Sequence, residues 1–191
     1  MKKILICLLL ILTIFNLSSF TYEHLEVRDT AYEIIKLARS IGIKENDPII
    51  ERAKTIQAEA HQQFLTDRDI IATVIYNEAG YKCSDRHMEL VAAVIINRLK
   101  SDLFPDTVYE IVTAPKQYHP LYADPNSIYG QLARKSDKWK KCKKIATKAL
   151  KGEIDCPDNV YYQANFKQGD GEYEIHKTSY STTYFCYIEE E

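Results

Sequence analysis

The stretch "SDRHMELVAAVIINRLKS", residues 84–101, constrains the fold more than any other part of the chain. Leu90, Val91, Val94, Ile95 and Leu99 recur at helical spacing and form a wide apolar stripe. Ser84 or Asp85 supplies an N-cap, since a short polar side chain accepts from the first free backbone N–H groups. A helix this apolar must be covered by other elements. It is predicted to be the most buried helix of the chain.

The covering elements follow from the same kind of spacing. Upstream, "DIIATVI" puts Ile70, Ile71, Val74 and Ile75 on one face of a helix that Asp67 or Asp69 caps and that ends near Glu78. Downstream, "DLFPDTVYEIV" predicts a turn through Pro105 and a short helix starting at Asp106 or Thr107. "KQYHPLYADPNSIYG" reads as an aromatic loop. "SDKWKKCKKIATKALKGE" reads as a helix with Trp139, Cys142, Ile145, Ala146 and Ala149 inward. The tail changes character, because "NVYYQANF", "GEYEIHK" and "TTYFCYI" are β-branched and aromatic, separated by "KQGDG" and "TSYS". Such runs are short antiparallel strands. The expected class is α+β, a mostly helical domain at 66–191 with a small C-terminal antiparallel β element.

Residues 21–65 carry apolar positions such as Ile34, Ile35, Leu37 and Ala38 at helical spacing, interrupted by "SIGIKENDP". They predict a helical spacer of two amphipathic helices, the second over about 51–64. Residues 1–20 place Lys2 and Lys3 before an apolar run from Ile4 to Phe15, followed by Asn16, Ser18 and Ser19. That order is a secretory signal peptide, and the run is short for a membrane span. An uncleaved N-terminal anchor, tethering the protein to a membrane, is the alternative. Either way the rest is exported, to be secreted or held at the cell wall.

Removing 1–20 lowers the 25 basic residues by two and leaves the 27 acidic ones, a net charge of −4. Such a balance gives no reason to expect nucleic acid as a partner. Cys83, Cys142, Cys156 and Cys186 remain in the exported part, an even number that suits disulfides, with Cys142 and Cys156 able to close a short loop. No CxxC pair exists, and Cys83 with His87 is one isolated pair, so no metal is expected.

Glu78 in "IYNEAGY" is the residue that asks for chemistry. A carboxylate at a helix C-terminus meets the negative end of the helix dipole, and aromatic neighbours desolvate it. Both raise its pKa, which is poor for stability and suitable for a general acid. The plain alternative is a surface glutamate at a helix end.

"ATVIYNEAG", "ELVAAVIINRLKSDLFPDTVYEIV", "QYHP", "NVYYQANF" and "TTYFCY" together resemble the cell wall hydrolase family of the spore-cortex-lytic enzyme SleB, from about residue 68 to 188. The resemblance implies a lysozyme-like fold and lytic transglycosylase activity on peptidoglycan, with Glu78 matching the catalytic acid by position. The chain departs from the family pattern at Ala79-Gly80-Tyr81-Lys82 and at Thr183-Tyr184-Phe185.

The implied reaction needs no metal or organic cofactor, because the acetamido oxygen and C6 hydroxyl of N-acetylmuramic acid can fill the roles of a second carboxylate. The partner is then the peptidoglycan glycan strand, acted on by a monomer. Gln117, Tyr118 and His119 are candidates to bind acetamido groups and stack on sugar rings, and Tyr162 and Tyr184 to form one wall of a groove. A muramidase hydrolysing the same bond would need Asp85, Glu89, Glu110 or Asp124 within reach of Glu78. A wall-binding module without activity is the third reading. His176 is expected on a strand surface, Asn97 to bond the backbone of the loop holding Glu78, and Arg98 to pair with an acid. Residues 134–151 hold nine Lys or Arg against Asp137 alone, the pattern of a solvated helix face or of a surface attracted to an anionic wall polymer.

Overall fold

A computed structural model describes residues 23–80 and 83–189, in two compact units that divide between Leu65 and Thr66. Residues 1–20, expected to be an export signal or anchor, lie outside the described residues. The first unit contains helix α1, Glu23–Ser40, and the first half of helix α2, Pro48–Ala79. Gly42, at φ 79°, ends α1 in the left-handed conformation that glycine tolerates best. Pro48 opens α2 with the Asp47 side chain accepting from Ile49 N at 2.9 Å. Ile35, Ala38, Ile50 and Ala53 form the core of this unit.

The expected break near residue 65 is absent, and α2 runs unbroken for 32 residues. Thr66 and Asp67 are good cap residues by type, yet no Pro or Gly lies between Pro48 and Gly80 to stop propagation. Ala60 and Phe64 are buried within the first unit and Ile70 and Ile71 within the second. Packing within each unit, with no breaker between them, overrides the local signal for a start.

The second unit is built around helix α3, Asp85–Lys100. Ser84 is its N-cap, accepting from His87 N at 3.1 Å. Burial is almost continuous from His87 to Arg98, more than one stripe requires. Helices α4 (Val108–Thr113) and α6 (Trp139–Leu150) and strand β1 (Val160–Ala164) pack against it. A 3-10 turn, Pro120–Ala123, and helix α5, Ile128–Lys135, complete the helical part. Helix α5 replaces part of the expected aromatic loop, because Ser127 caps it by accepting from Gly130 N.

Strands β2 (Gly171–Lys177) and β3 (Thr182–Tyr187) join β1 in an antiparallel sheet of order β1-β3-β2. The α+β expectation holds, with a helical N-terminal region ahead of it. Asn97 fastens the sheet to α3, its Nδ2 donating to Pro157 O at 2.7 Å and Val160 O at 3.0 Å. Those carbonyls belong to the entry of β1, so Asn97 braces the sheet and not the loop after Glu78.

The disulfide expectation is overturned, because Cys83, Cys142, Cys156 and Cys186 are all free thiols. Cys142 lies on the buried face of α6 and Cys186 in the central strand, where each packs as a small apolar side chain. Cys156 is instead engaged by Asn97 Nδ2 at 3.9 Å.

Candidate active site

Glu78 sits in the last turn of α2, held by the same face that buries Val74 and Ile75. Gly80 N donates to Tyr76 O at 2.9 Å, and a Cβ at Gly80 would stand 2.4 Å from that oxygen. Only glycine allows the chain to turn so tightly beside the carboxylate. The Glu78 side chain is open to solvent, yet surrounding protein desolvates it and raises its pKa. A hydrogen bond from the Tyr122 hydroxyl acts the other way and favours the carboxylate. In turn, burial and the neighbouring Glu78 charge hold the Tyr122 phenol well above its ordinary pKa, so it stays a donor.

Tyr122 belongs to an aromatic cluster. The His119 ring lies 5.6 Å from Tyr122 and 4.6 Å from Tyr129, and Tyr122 meets Tyr129 edge-on at 5.2 Å. These residues come from two elements that are clamped together. Ser127 Oγ donates to Leu121 O and Asp124 O, at 2.6 and 2.8 Å. At Gly130, an added Cβ would meet Asp124 O at 2.7 Å and Pro125 O at 2.8 Å. Helix α5 therefore approaches the 3-10 turn at a distance only glycine permits.

Beneath the cluster lies a buried cation. The Arg98 guanidinium is 5.3 Å from the Phe104 ring and 5.7 Å from the Tyr118 ring, with Nε donating to Tyr161 O at 2.8 Å. Arg98 Nη1 and the Tyr118 hydroxyl have no hydrogen-bond partner among the described residues. Burial, with Glu78 adding to it and Arg98 opposing it, pushes the Tyr118 phenol up to about 12. No acid pairs with Arg98 among the described residues, contrary to expectation; two aromatic faces take that place.

Of the residues singled out in the sequence, Glu78 and His119 come together through Tyr122, and Tyr118 lies close behind them. Tyr118 is buried, so it supports the site from within. Gln117 is exposed, and its backbone N–H donates to Ala114 O at 3.3 Å. Tyr162 and Tyr184 are half-buried on β1 and β3, and among the described contacts none joins them to Glu78. His176 is not a plain surface histidine, because its Nε2 lies 2.7 Å from Glu174 and its ring 5.0 Å from His87. Tyr122 and Tyr129 were not singled out in the sequence. Their signal was the aromatic spacing within "HPLYADPNSIYG", which carries no meaning until the turn folds.

The other carboxylates have their own partners. Asp85 pairs with Lys141, and Glu89 with Lys148 at 2.9 Å. Glu110 accepts from Thr107 at 2.7 Å, and Asp124 from Asn126 N at 2.8 Å. Asp67 is buried and pushed up to about 7 by desolvation, but it precedes Glu78 by eleven residues. At the helical rise that is about 16 Å, too far to share one glycosidic bond. Among the described residues, no group of three or more His, Cys, Asp and Glu is arranged to hold a metal ion. None of the described helices is long and apolar enough to cross a membrane.

The model of the Cell Wall Hydrolase family matches residues 82–185, over half of the chain, and the chain belongs to that family. It is therefore a hydrolytic enzyme of the cell wall that acts on peptidoglycan. Neither curated proteins nor solved structures gave a match. Glu78 falls four residues ahead of the matched segment, so its standing rests on its surroundings.

Proposed function

We propose that the protein is a peptidoglycan lytic transglycosylase that cleaves the β-1,4 bond between N-acetylmuramic acid and N-acetylglucosamine, with Glu78 as its one general acid and base. The observation that carries the reading is a solvent-open carboxyl, raised in pKa, that keeps a hydrogen bond from a phenol. The raised pKa favours the protonated form that the first step requires. Glu78 gives its proton to the leaving glycosidic oxygen as the C1–O bond breaks. The carboxylate then takes the proton from the C6 hydroxyl as its oxygen closes on C1. The product is 1,6-anhydro, and no water is consumed. Tyr122 steadies the carboxylate between the two steps, when its negative charge is greatest. General acid–base work of this kind is worth about 100- to 10,000-fold in rate.

His119, Tyr122 and Tyr129 offer ring faces to a pyranose beside the reacting bond, and Gln117 an amide to an acetamido group. Tyr118 acts from behind, with Arg98 beneath it. Tyr162 and Tyr184 would form the far wall of the groove. Residues 66–191 are the catalytic domain in this reading, residues 21–65 a spacer and residues 1–20 an export signal or anchor. The enzyme works as a monomer.

Mass spectrometry of muropeptides released from purified walls tests the reading, with Glu78→Gln in parallel. Products one water lighter than hydrolysed muropeptides, absent with the variant, are expected. Reducing-end products would replace transglycosylation by hydrolysis and demand a second carboxylate. Full activity in Glu78→Gln would remove Glu78 from the mechanism.

A further inference from the structure

We propose that α6 and the end of α5 form a docking face for a wall-linked anionic polymer of the phosphodiester class. This rests on the family's cell-wall setting and not on how the glycan bond is broken. Of the chain's 25 basic and 27 acidic residues, nine basic and one acidic lie in 134–151, leaving 16 against 26 elsewhere. A mildly acidic protein thus concentrates a strong positive charge on one short segment.

The fold uses only part of that charge. Arg134 reaches Asp69 at 3.6 Å, Lys148 reaches Glu89 at 2.9 Å, and Lys141 pairs with Asp85. Lys135, Lys140, Lys144 and Lys151 are exposed and make no ion pair among the described residues. Lys140 and Lys144 are one turn apart, as are Lys144 and Lys148, so like charges repel along the helix surface. Glu89 offsets Lys148 and Asp85 offsets Lys141, but Lys140 and Lys144 have no carboxylate partner among the described residues, and a polyanion laid along the helix would supply one. The buried face of α6, with Cys142, Ile145, Ala146 and Ala149, holds the helix in place and fixes the spacing of the cations. At the near end, Trp139 is flanked by Arg134 at 5.9 Å and by one further cation, Lys143, at 5.6 Å. The attraction is electrostatic and takes no particular monomer, so phosphate spacing and charge decide what binds.

The single tryptophan supplies the measurement. Titrating the full chain with inorganic polyphosphate should change Trp139 fluorescence, with an affinity that falls with salt at a log–log slope of about −3 for four neutralised phosphates. The triple variant Lys140→Glu/Lys144→Glu/Lys151→Glu should lose at least tenfold in affinity and most of the slope. The neutral triple Lys→Gln variant should fall between the two, which guards against a folding defect in the charge reversal. In sedimentation at 4 °C, walls stripped of phosphodiester polymers with hydrofluoric acid should hold less protein than intact walls. Equal binding by the reversed variant, or equal binding to stripped walls, would overturn the proposal. Stronger retention by phosphatidylglycerol vesicles than by intact walls would overturn it too, in favour of a lipid surface. None of these readouts involves bond cleavage, so the outcome is independent of the transglycosylase reading.

Discussion

Gly130→Ala tests whether the close approach of α5 to the 3-10 turn builds the site. The added methyl would stand 2.7 Å from Asp124 O and 2.8 Å from Pro125 O, where ordinary contact begins at 3.4 Å. Both obstacles are backbone atoms, so neither can swing aside as a side chain could. Helix α5 must withdraw by about 0.7 Å, the difference between those distances. Overpacking of this sort costs about 1–3 kcal/mol. Tyr129 is the preceding residue in the chain, and its ring is 4.6 Å from His119 and 5.2 Å from Tyr122. The shift therefore reaches the phenol that bonds Glu78. Misplacement by about 1 Å near reacting groups costs on the order of 100-fold, so a shift of this size should cost about 10-fold. Urea denaturation measures the first effect, and the fall in turbidity of a wall suspension, well below the unfolding midpoint, measures the second. Gly152→Ala is the control, since Gly152 has φ 68° but nothing within 4 Å of an added Cβ. It should lose about 1–2 kcal/mol from backbone strain and keep its activity. Activity within twofold of wild type in Gly130→Ala, with stability changed by less than about 0.5 kcal/mol, would refute the reasoning.

Tyr122→Phe removes the bond that favours the Glu78 carboxylate, so the Glu78 pKa should rise further and the protonated acid persist to higher pH. The alkaline limb of the activity profile should move up in pH; a move downward would contradict the assignment. His87 is buried against His176 and Phe185, with its pKa lowered from 6.5 to about 4 by desolvation first and His176 second. Its native state binds fewer protons than the unfolded one, so stability is full above pH 6.5 and lost as pH falls toward 4. The loss should reach about 3 kcal/mol, and His87→Phe should flatten that part of the stability–pH curve measured by urea denaturation. With Cys83, Cys142, Cys156 and Cys186 all free, dithiothreitol should leave the melting temperature unchanged. A drop of about 5 °C or more on reduction would instead reveal a disulfide.

The elements that a local pattern encodes were legible in the sequence. The apolar spacing of Leu90, Val91, Val94 and Ile95 announced the buried helix, and the aromatic and β-branched runs announced the three strands. The raised pKa of Glu78 was legible too, though burial is what raises it, and its catalytic role remains a proposal. What escaped was set by contacts distant along the chain. The start signal at Thr66–Asp67 lost to a helix with no breaker there, whose flanking Phe64 and Ile70 are each buried within their own unit, which one sequence window cannot weigh. The cysteine count suggested bridges, but pairing depends on where each sulfur lies in space, and the fold keeps them as thiols. Arg98 was read as half of an ion pair and found between two rings. Tyr122 reaches Glu78 from 44 residues away only because Ser127 and Gly130 clamp the turn against α5. Periodicity reports which face of an element is apolar. Which hydroxyl meets which carboxylate is decided when those faces are buried against one another, and that is a property of the packed chain alone.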